Sequence, residues 1–183
     1  MVGGEGLERA GHDEVWRAFD ANEITHSAAH YLLAVARLSA AGGHTRAADV
    51  ARFLGVSRAA ASLQVRALHQ HGLLEVDARQ VLRVTPAGAD LAGRVASKRV
   101  VLRTLLGEIL GVASDVAETD ACKAEHLLSQ ETAAALARFL HFLTSDHPAA
   151  RACLEAFRSS VVSCPAAGRC ELCDETCLLA GDA

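Results

Sequence analysis

The stretch 46–86 constrains the fold of this chain more than any other. Its apolar spacing predicts two short amphipathic helices, and the residues around Gly55 predict the tight turn that separates them. Two short strands follow, joined by a four-residue turn, and Thr85-Pro86 then caps and begins another helix. Helix, turn, helix and β-hairpin in this order are typical of a winged helix-turn-helix.

The remainder of the chain is predicted to be largely helical. Aromatic residues make up only 4% of the sequence, and Ala and Leu dominate the 51% that is hydrophobic, which favours helices over a β-sandwich or barrel. We therefore expect a mainly α protein, in which an all-helical domain follows the N-terminal winged helix-turn-helix.

Basic residues concentrate over the winged helix. Ten Lys and Arg and only four acidic residues lie between positions 45 and 105, although the whole chain has a formal net charge of −4. A basic region in an acidic protein indicates a face that binds a polyanion such as DNA. The alternative is an ordinary solvated surface, or a winged helix that contacts only protein.

The second helix of this motif begins with small side chains, which would let its backbone approach the bases in a major groove. Basic side chains flank it, as phosphate contacts require. Because its first turn has few hydrogen-bonding groups, we expect recognition through thymine methyls and DNA shape. The predicted DNA-contacting residues are Arg46, Ser57, Arg58, Ala59, Ser62, Arg66 and Arg79.

Three side chains of different ligand chemistry lie close together near the middle of the chain. On a helix, Cys122, Glu125 and His126 would present a thiol, a carboxylate and an imidazole on one face. A fourth ligand must come from elsewhere, and His30 on the long N-terminal helix is a candidate, with His26 one turn before it. The alternative is a buried thiol beside a surface Glu-His pair.

Together these patterns resemble the DtxR/MntR family of metal-dependent transcriptional repressors over about residues 24–145. The resemblance rests on the winged helix, on the stretch LLEVDARQVLRVTPAG at 73–88, and on the segment DACKAEHLLS at 120–129. It implies a DNA-binding winged helix followed by a helical domain that binds metal and dimerises.

The resemblance also implies a ligand set for the regulatory metal. In the family, a Cys or Glu followed by Glu-His binds the ion, and a first-helix residue just before a Tyr completes the site. That last ligand is usually Met or Asp, so an imidazole departs from the family pattern while remaining a competent ligand. The implied ligands here are His30, Cys122, Glu125 and His126.

Two departures from the family bear on further metal sites. Arg99 and Arg103 stand where the family's ancillary site has a His and a Glu, and Leu33 replaces an acidic residue of the manganese-sensing branch. We therefore expect no second metal beside the first, and expect both arginines to pair with Glu118 instead. The family's C-terminal SH3-like domain is not expected either.

The ligand types indicate the class of metal. Two imidazoles, one thiolate and one carboxylate form a softer set than the carboxylate-rich sites that suit manganese. The prediction is therefore Fe(II), with Zn(II) or Co(II) as the next alternatives and Mn(II) after them.

Four of the six cysteines lie within the last 20 residues, in the spacing C-x5-C-x2-C-x3-C. In a reducing compartment such a cluster indicates metal or cluster ligands before disulfides. An iron–sulfur cluster is the first interpretation, and zinc or free redox-active thiols are the alternatives. Cys153, within an apolar helical face, is instead expected in the core. The tail cysteines are Cys164, Cys170, Cys173 and Cys177.

Four segments are expected: an N-terminal extension with a short helix (1–23), a winged helix-turn-helix DNA-binding domain (24–93), a helical metal-binding and dimerisation domain (94–162) and a cysteine-rich tail (163–183). No apolar run approaches the roughly 18 residues of a membrane span, and the N-terminus lacks the features of a signal peptide. We therefore expect a cytoplasmic protein without a membrane partner.

These features together predict a homodimeric, iron-dependent repressor that binds a palindromic operator in double-stranded DNA and silences metal-uptake genes when metal is bound. The sequence contains no catalytic triad order, phosphate loop or dinucleotide fingerprint, so neither an enzyme nor a small-molecule substrate is expected. The main alternative is an iron-transport accessory protein that uses the winged helix for protein contacts and the tail as an iron or cluster sensor. A redox enzyme that uses the tail is a weaker alternative.

Overall fold

A computed structural model describes residues 24–42 and 44–160. The predictions for the N-terminal extension and for Cys164, Cys170, Cys173 and Cys177 lie outside the described residues. The chain divides into two compact units between Leu140 and His141. No helix of the described part is both long and apolar enough to cross a membrane.

Helices dominate the described residues, so the predicted mainly α class is confirmed. Residues 24–42 and 44–160 contain seven α-helices and one antiparallel β-hairpin, together with a π-helical turn that directly follows the fourth helix. In chain order the elements are α1 (His26–Ala40), α2 (Ala47–Leu54), α3 (Arg58–Gln70), β1 (Leu74–Val76), β2 (Leu82–Val84), α4 (Pro86–Arg103), the π-helical turn (Thr104–Ile109), α5 (Ser114–Ala124), α6 (Gln130–Leu143) and α7 (Pro148–Ser159).

Side-chain caps begin α1 and α3 where the sequence predicts them. The Ser57 hydroxyl accepts a hydrogen bond from the backbone N–H of Ala60, and the Thr25 hydroxyl accepts one from Ala28. Gly55 ends α2 in the left-handed region with φ +67°, which a residue with a Cβ rarely adopts. The boundaries of α2 and α3 therefore follow from local chemistry.

The two strands form the wing. They pair in antiparallel register, with Glu75 opposite Arg83. The Asp77 carboxylate organises the connection by accepting hydrogen bonds from the backbone N–H groups of Arg79 and Val81 at 2.8 and 2.9 Å. These hydrogen bonds lower the pKa of Asp77. The turn is thus held by a group that stays ionised at neutral pH.

The wing is joined tightly to α4. The Thr85 hydroxyl caps α4 through the N–H of Gly88 and also donates to the carbonyl of Gly72 at 2.7 Å. A Cβ at Gly88 would collide with the backbone carbonyl of Leu73, so only glycine permits this approach. The start of α4 therefore lies directly against the turn that follows α3.

One hydrophobic core unites α1, α2, α3, the wing and the first half of α4. Its members are small and aliphatic residues with a single tyrosine, as expected for a chain that is rich in Ala and Leu. Leu32 and Val35 of α1 are completely buried at its centre. The other large members are Tyr31, Val50, Val65, Leu68, Leu73, Leu74, Leu82, Leu91 and Val95.

In the second unit, the predicted position of Cys153 in the core is wrong. The thiol is exposed. The helix α7 turns Ala150 inward and only half-buries Leu154 one turn later. Cys153 lies beside the face that Ala150 and Leu154 define, so its side chain stays exposed although apolar residues surround it in sequence.

Candidate metal centre

The segment that carries Cys122, Glu125 and His126 is only partly helical. The helix α5 ends at Ala124, and Glu125 is its C-terminal cap. The Leu127 N–H donates to the carbonyl of Ala124, which tightens the chain into a turn. The prediction of one continuous helical face is therefore wrong.

The next helix begins a few residues after this turn. The Ser129 hydroxyl accepts a hydrogen bond from the N–H of Thr132 at 3.0 Å and so caps α6. A capping residue has an extended rather than helical backbone, so α5 and α6 cannot form one helix through this point.

This turn buries Glu125 completely. Its side chain is 0% exposed, and the His126 side chain is only 8% exposed. The His126 Nε2 atom lies 3.1 Å from Glu125 Oε1, yet it and both Glu125 oxygens lack a hydrogen-bond partner. A buried carboxylate without a hydrogen bond or a cation is strongly disfavoured. The pair therefore suits a bound cation.

The helix α1 supplies two imidazoles to the same place. His26 and His30 are one helical turn apart, and their Nε2 atoms are 3.1 Å from each other. The His30 Nε2 atom also lies 3.3 Å from the Cys122 sulfur. Residues separated by about ninety positions in sequence thus meet through the packing of the helices.

Four potential ligand atoms converge most closely. One atom each from His26, His30, Cys122 and Glu125 lies within 4.8 Å of every other. Three of these residues were predicted as ligands from the sequence. His126 lies outside this set, with its Nε2 atom 3.1 Å from Glu125 Oε1 and its ring centroid 4.6 Å from that of His26. The set contains nitrogen, sulfur and oxygen donors, which fits a divalent transition metal.

The local environment sets the protonation of the donors. Burial lowers the pKa of His26, and His126 nearby lowers it further. Burial and the neighbouring His26 likewise lower the pKa of His30. Burial raises the pKa of the Cys122 thiol, against the opposing effect of Arg99. At neutral pH the imidazoles are therefore ready to bind a metal, whereas the thiol must first lose its proton.

The predicted pairing of two arginines with Glu118 is confirmed. Arg99 donates to Glu118 Oε1 from Nε at 3.0 Å and from Nη2 at 2.5 Å. Arg103 lies 3.8 Å from the other carboxylate oxygen. An ion pair therefore joins α4 to α5 at these positions.

The side chains predicted to face DNA are all exposed. Those of α3 and its cap lie along one side of that helix, and Arg46 and Arg79 lie at the start of α2 and in the wing. Sequence reasoning overlooked Leu63, which is 63% exposed in the middle of α3. Its spacing of four residues from Ala59 and three from Arg66 was the available signal. The exposed residues are Arg46, Ser57, Arg58, Ala59, Ser62, Arg66 and Arg79.

Comparisons with known proteins find similar sequences and a similar fold. Residues 85–151 match the model of the iron dependent repressor metal binding and dimerisation domain. The chain is 30% identical over 110 residues to the diphtheria toxin repressor of Corynebacterium diphtheriae, which covers 60% of this chain and 49% of that protein. It is 32% identical over 105 residues to the transcriptional regulator MntR of Salmonella typhimurium, covering 57% and 64%.

A solved structure shares the fold. The crystal structure of IdeR from T. acidophilum superposes with a TM-score of 0.51 at 26% identity, covering 61% of this chain and 53% of that one. The chain spans about half the length of the first of these curated relatives. The matched domain contains the Cys122–His126 segment, and the sequence match to the repressors is accompanied by the same fold. Residues 85–151 are therefore similar to the metal binding and dimerisation domain of iron dependent repressors, and the chain as a whole is similar to metal-dependent transcriptional repressors of the DtxR/MntR type.

Proposed function

We propose that this chain is a metal-responsive transcriptional regulator that binds operator DNA as a homodimer in the cytoplasm and represses metal-uptake genes when metal is bound. The observation that carries the proposal is the buried carboxylate of Glu125, which has no hydrogen-bond partner and lies beside imidazoles of α1. A bound cation would compensate the negative charge of such a buried carboxylate.

The centre would act as a bridge between two parts of the fold. The helix α1 belongs to the core of the winged helix through Leu32 and Val35. Cys122 and Glu125 belong instead to the end of α5 and the turn after it. His30, Cys122, Glu125 and His126 would hold the ion, which supplies positive charge and directional bonds between these elements.

Such a bridge gives a mechanism of regulation by linkage. In the absence of metal, no hydrogen bond offsets the cost of burying the Glu125 carboxylate, so the arrangement of α1 against α5 is less favoured. If DNA binds best to the bridged arrangement, metal and operator each raise the affinity for the other by the same factor. His30 and Glu125 are the residues that would transmit this coupling.

The DNA interface would be the exposed side of α3 together with the wing. Arg58 and Arg66 are exposed and suited to phosphates, whereas Ala59, Ser62 and Leu63 offer small or apolar contacts to base edges. In a twofold dimer the two α3 helices would read half-sites of a palindrome about 34 Å apart or a multiple of it.

We propose Fe(II) as the activating metal, with Zn(II) and Co(II) as alternatives, because the donors are mainly nitrogen and sulfur. From spacing alone, Cys164, Cys170, Cys173 and Cys177 would form a second sensor, either an iron–sulfur cluster or a zinc site. Anaerobic protein with a cluster is coloured, and zinc leaves it colourless.

The test is a selection of bound DNA from a randomised duplex library by the full chain. It is carried out anaerobically with Fe(II), with Mn(II), and with a chelator. We expect enrichment of a palindrome with Fe(II) and none with the chelator. The Glu125→Gln variant should lose the metal response, and Glu131→Gln, at an exposed acid of α6, should keep it. Equal recovery of random DNA under all conditions would favour the accessory-protein alternative and overturn the proposal.

A further inference from the structure

The position of His26 in the fold gives it no role in helix capping or in core packing. It is the first residue of α1, and the Thr25 hydroxyl already caps that helix. No apolar residue of the core depends on it, because its side chain lies at the surface of the winged helix. Its ring is directed toward the metal centre, where it makes edge contacts with His30 and His126 at centroid distances of 4.5 and 4.6 Å.

The donor atoms show how His26 fits the centre. The compact set of four ligand atoms within 4.8 Å includes His26 and does not include His126. The Nε2 atoms of His26 and His30 lie 3.1 Å apart. Two nitrogens at that separation are about as close as two ligands of one transition metal ion, which each lie roughly 2.0–2.1 Å from it.

We propose that His26 is a ligand of the regulatory metal, in addition to the residues that the family pattern implies. This inference rests on the proposed function, because it concerns the same centre. The ion would then lie among the imidazoles of His26 and His30, the Cys122 thiolate and the Glu125 carboxylate. The His126 imidazole would lie beside that carboxylate.

An added imidazole has a consequence for metal choice. Imidazole nitrogen suits Fe(II), Co(II) and Zn(II), whereas Mn(II) is better served by carboxylate and water. His26 would therefore strengthen binding of the first group more than that of Mn(II). The chain would use this residue to discriminate against manganese at a centre whose family includes manganese sensors.

The experiment is an anaerobic titration of the full chain with Co(II), followed by its visible absorption and by competition with Mn(II). Three variants are compared: His26→Ala, His26→Phe and, as a matched control at an exposed histidine, His71→Ala. The phenylalanine keeps an aromatic ring against His126 but has no donor atom. It therefore separates ligation from ring packing.

We expect both His26 variants to bind Co(II) about 10- to 100-fold more weakly, with changed d–d bands. The Mn(II) affinity should fall less, so that the preference for Co(II) over Mn(II) narrows. The thiolate-to-Co(II) charge-transfer band should persist, because Cys122 still binds. The control should titrate as the wild type does.

Wild-type affinity and spectrum in His26→Phe would overturn the inference, because ring packing rather than ligation would then explain the contacts. Wild-type behaviour of both variants would overturn it as well, and would leave the proposed function intact. If the unmodified chain itself bound no Co(II), Fe(II) or Zn(II), the proposed function and the inference would fail together. The charge-transfer band thus distinguishes the two failures.

Discussion

The winged helix and the metal centre differ in how their polar groups are satisfied. In the described part of the winged helix, the buried polar residue is Thr45. Its hydroxyl lies 3.4 Å from that of Ser39, and its backbone carbonyl accepts a hydrogen bond from the N–H of Leu82. In the metal centre, both oxygens of the buried Glu125 and the Nε2 atom of His126 lack a hydrogen-bond partner. The buried polar groups of the first region are satisfied by the folded chain itself, whereas those of the second are suited to a bound cation.

This difference separates the origin of stability from the origin of response. Burial of apolar side chains stabilises the winged helix whatever the metal concentration. The metal centre contributes stability only when a ligand offsets the cost of its buried charge. Substitutions in the two regions should therefore have effects of different kinds, which can be measured in one set of unfolding experiments.

The largest effect is expected in the winged-helix core. Leu32→Ala removes a completely buried side chain from α1 and should lower the free energy of unfolding by about 2–5 kcal/mol. The loss should be equal with and without metal. Leu127→Ala, at a side chain that is 57% exposed, should change the stability by less than about 0.5 kcal/mol. Urea unfolding followed by circular dichroism measures both.

The next effect is expected at the buried carboxylate. Glu125→Gln should leave the metal-free protein at least as stable as the wild type, because it removes a buried charge that accepts no hydrogen bond. It should abolish the stabilisation by metal, which is about 2.7 kcal/mol at one hundred times Kd. Urea unfolding with and without Co(II) measures the difference. A wild-type gain on metal addition in this variant would contradict the contrast drawn between the two regions.

The pH dependence of metal binding should show which donor carries a proton. Because the pKa of the Cys122 thiol is raised by burial, that proton must leave when metal binds. The affinity should fall about tenfold, or about 1.4 kcal/mol, for each unit of decreasing pH while the imidazoles remain neutral. Since the pKa values of His26 and His30 are lowered, the fall should steepen only at acidic pH. Co(II) titrations between pH 8 and pH 6 test this, and Cys122→Ala should flatten the dependence.

The smallest effect concerns the exposed arginines of α3. Arg58→Ala and Arg66→Ala should each reduce the slope of log K against log salt for DNA binding by about 0.9. Neither should alter stability or metal affinity, because both side chains are exposed. Arg138→Ala, at an exposed arginine of α6, is the matched control. Fluorescence anisotropy at several salt concentrations measures the slopes, and unchanged slopes in both variants would rule out this interface.

Much of the winged helix could be predicted because its determinants are local. Ser57 and Thr85 cap the helices at which they stand, and Gly55 adopts the turn conformation that other residues avoid. A cap depends on neighbours three residues away, so the sequence contains the whole interaction. The same holds for the antiparallel register of two short strands that a brief turn joins.

The metal centre could be predicted only in part because its geometry depends on tertiary packing. The ligand types at Cys122 and Glu125 were visible in the sequence, but the end of α5 at Ala124 was not. That end turns Glu125 inward, and the approach of α1 to it decides that His26 joins the closest set of donors. A helical spacing rule describes one helix and does not contain the distance to another. The exposure of Leu63 and Cys153 could not be predicted for the same reason, because the burial of a side chain depends on which other elements pack against its helix.

The close contact at Gly88 has a consequence for how this chain could be re-engineered. Because the backbone of α4 rests on the carbonyl of Leu73, the base of the wing cannot be lengthened without displacing the helix. Its tip, at 77–80, is held by hydrogen bonds within the turn itself, which join Asp77 to Arg79, Gln80 and Val81. Inserted residues should therefore be tolerated at the tip and not at the base. The wing should therefore tolerate changes in the length of its tip while its base stays fixed. The reach of the wing along DNA could then be altered without changing the metal centre.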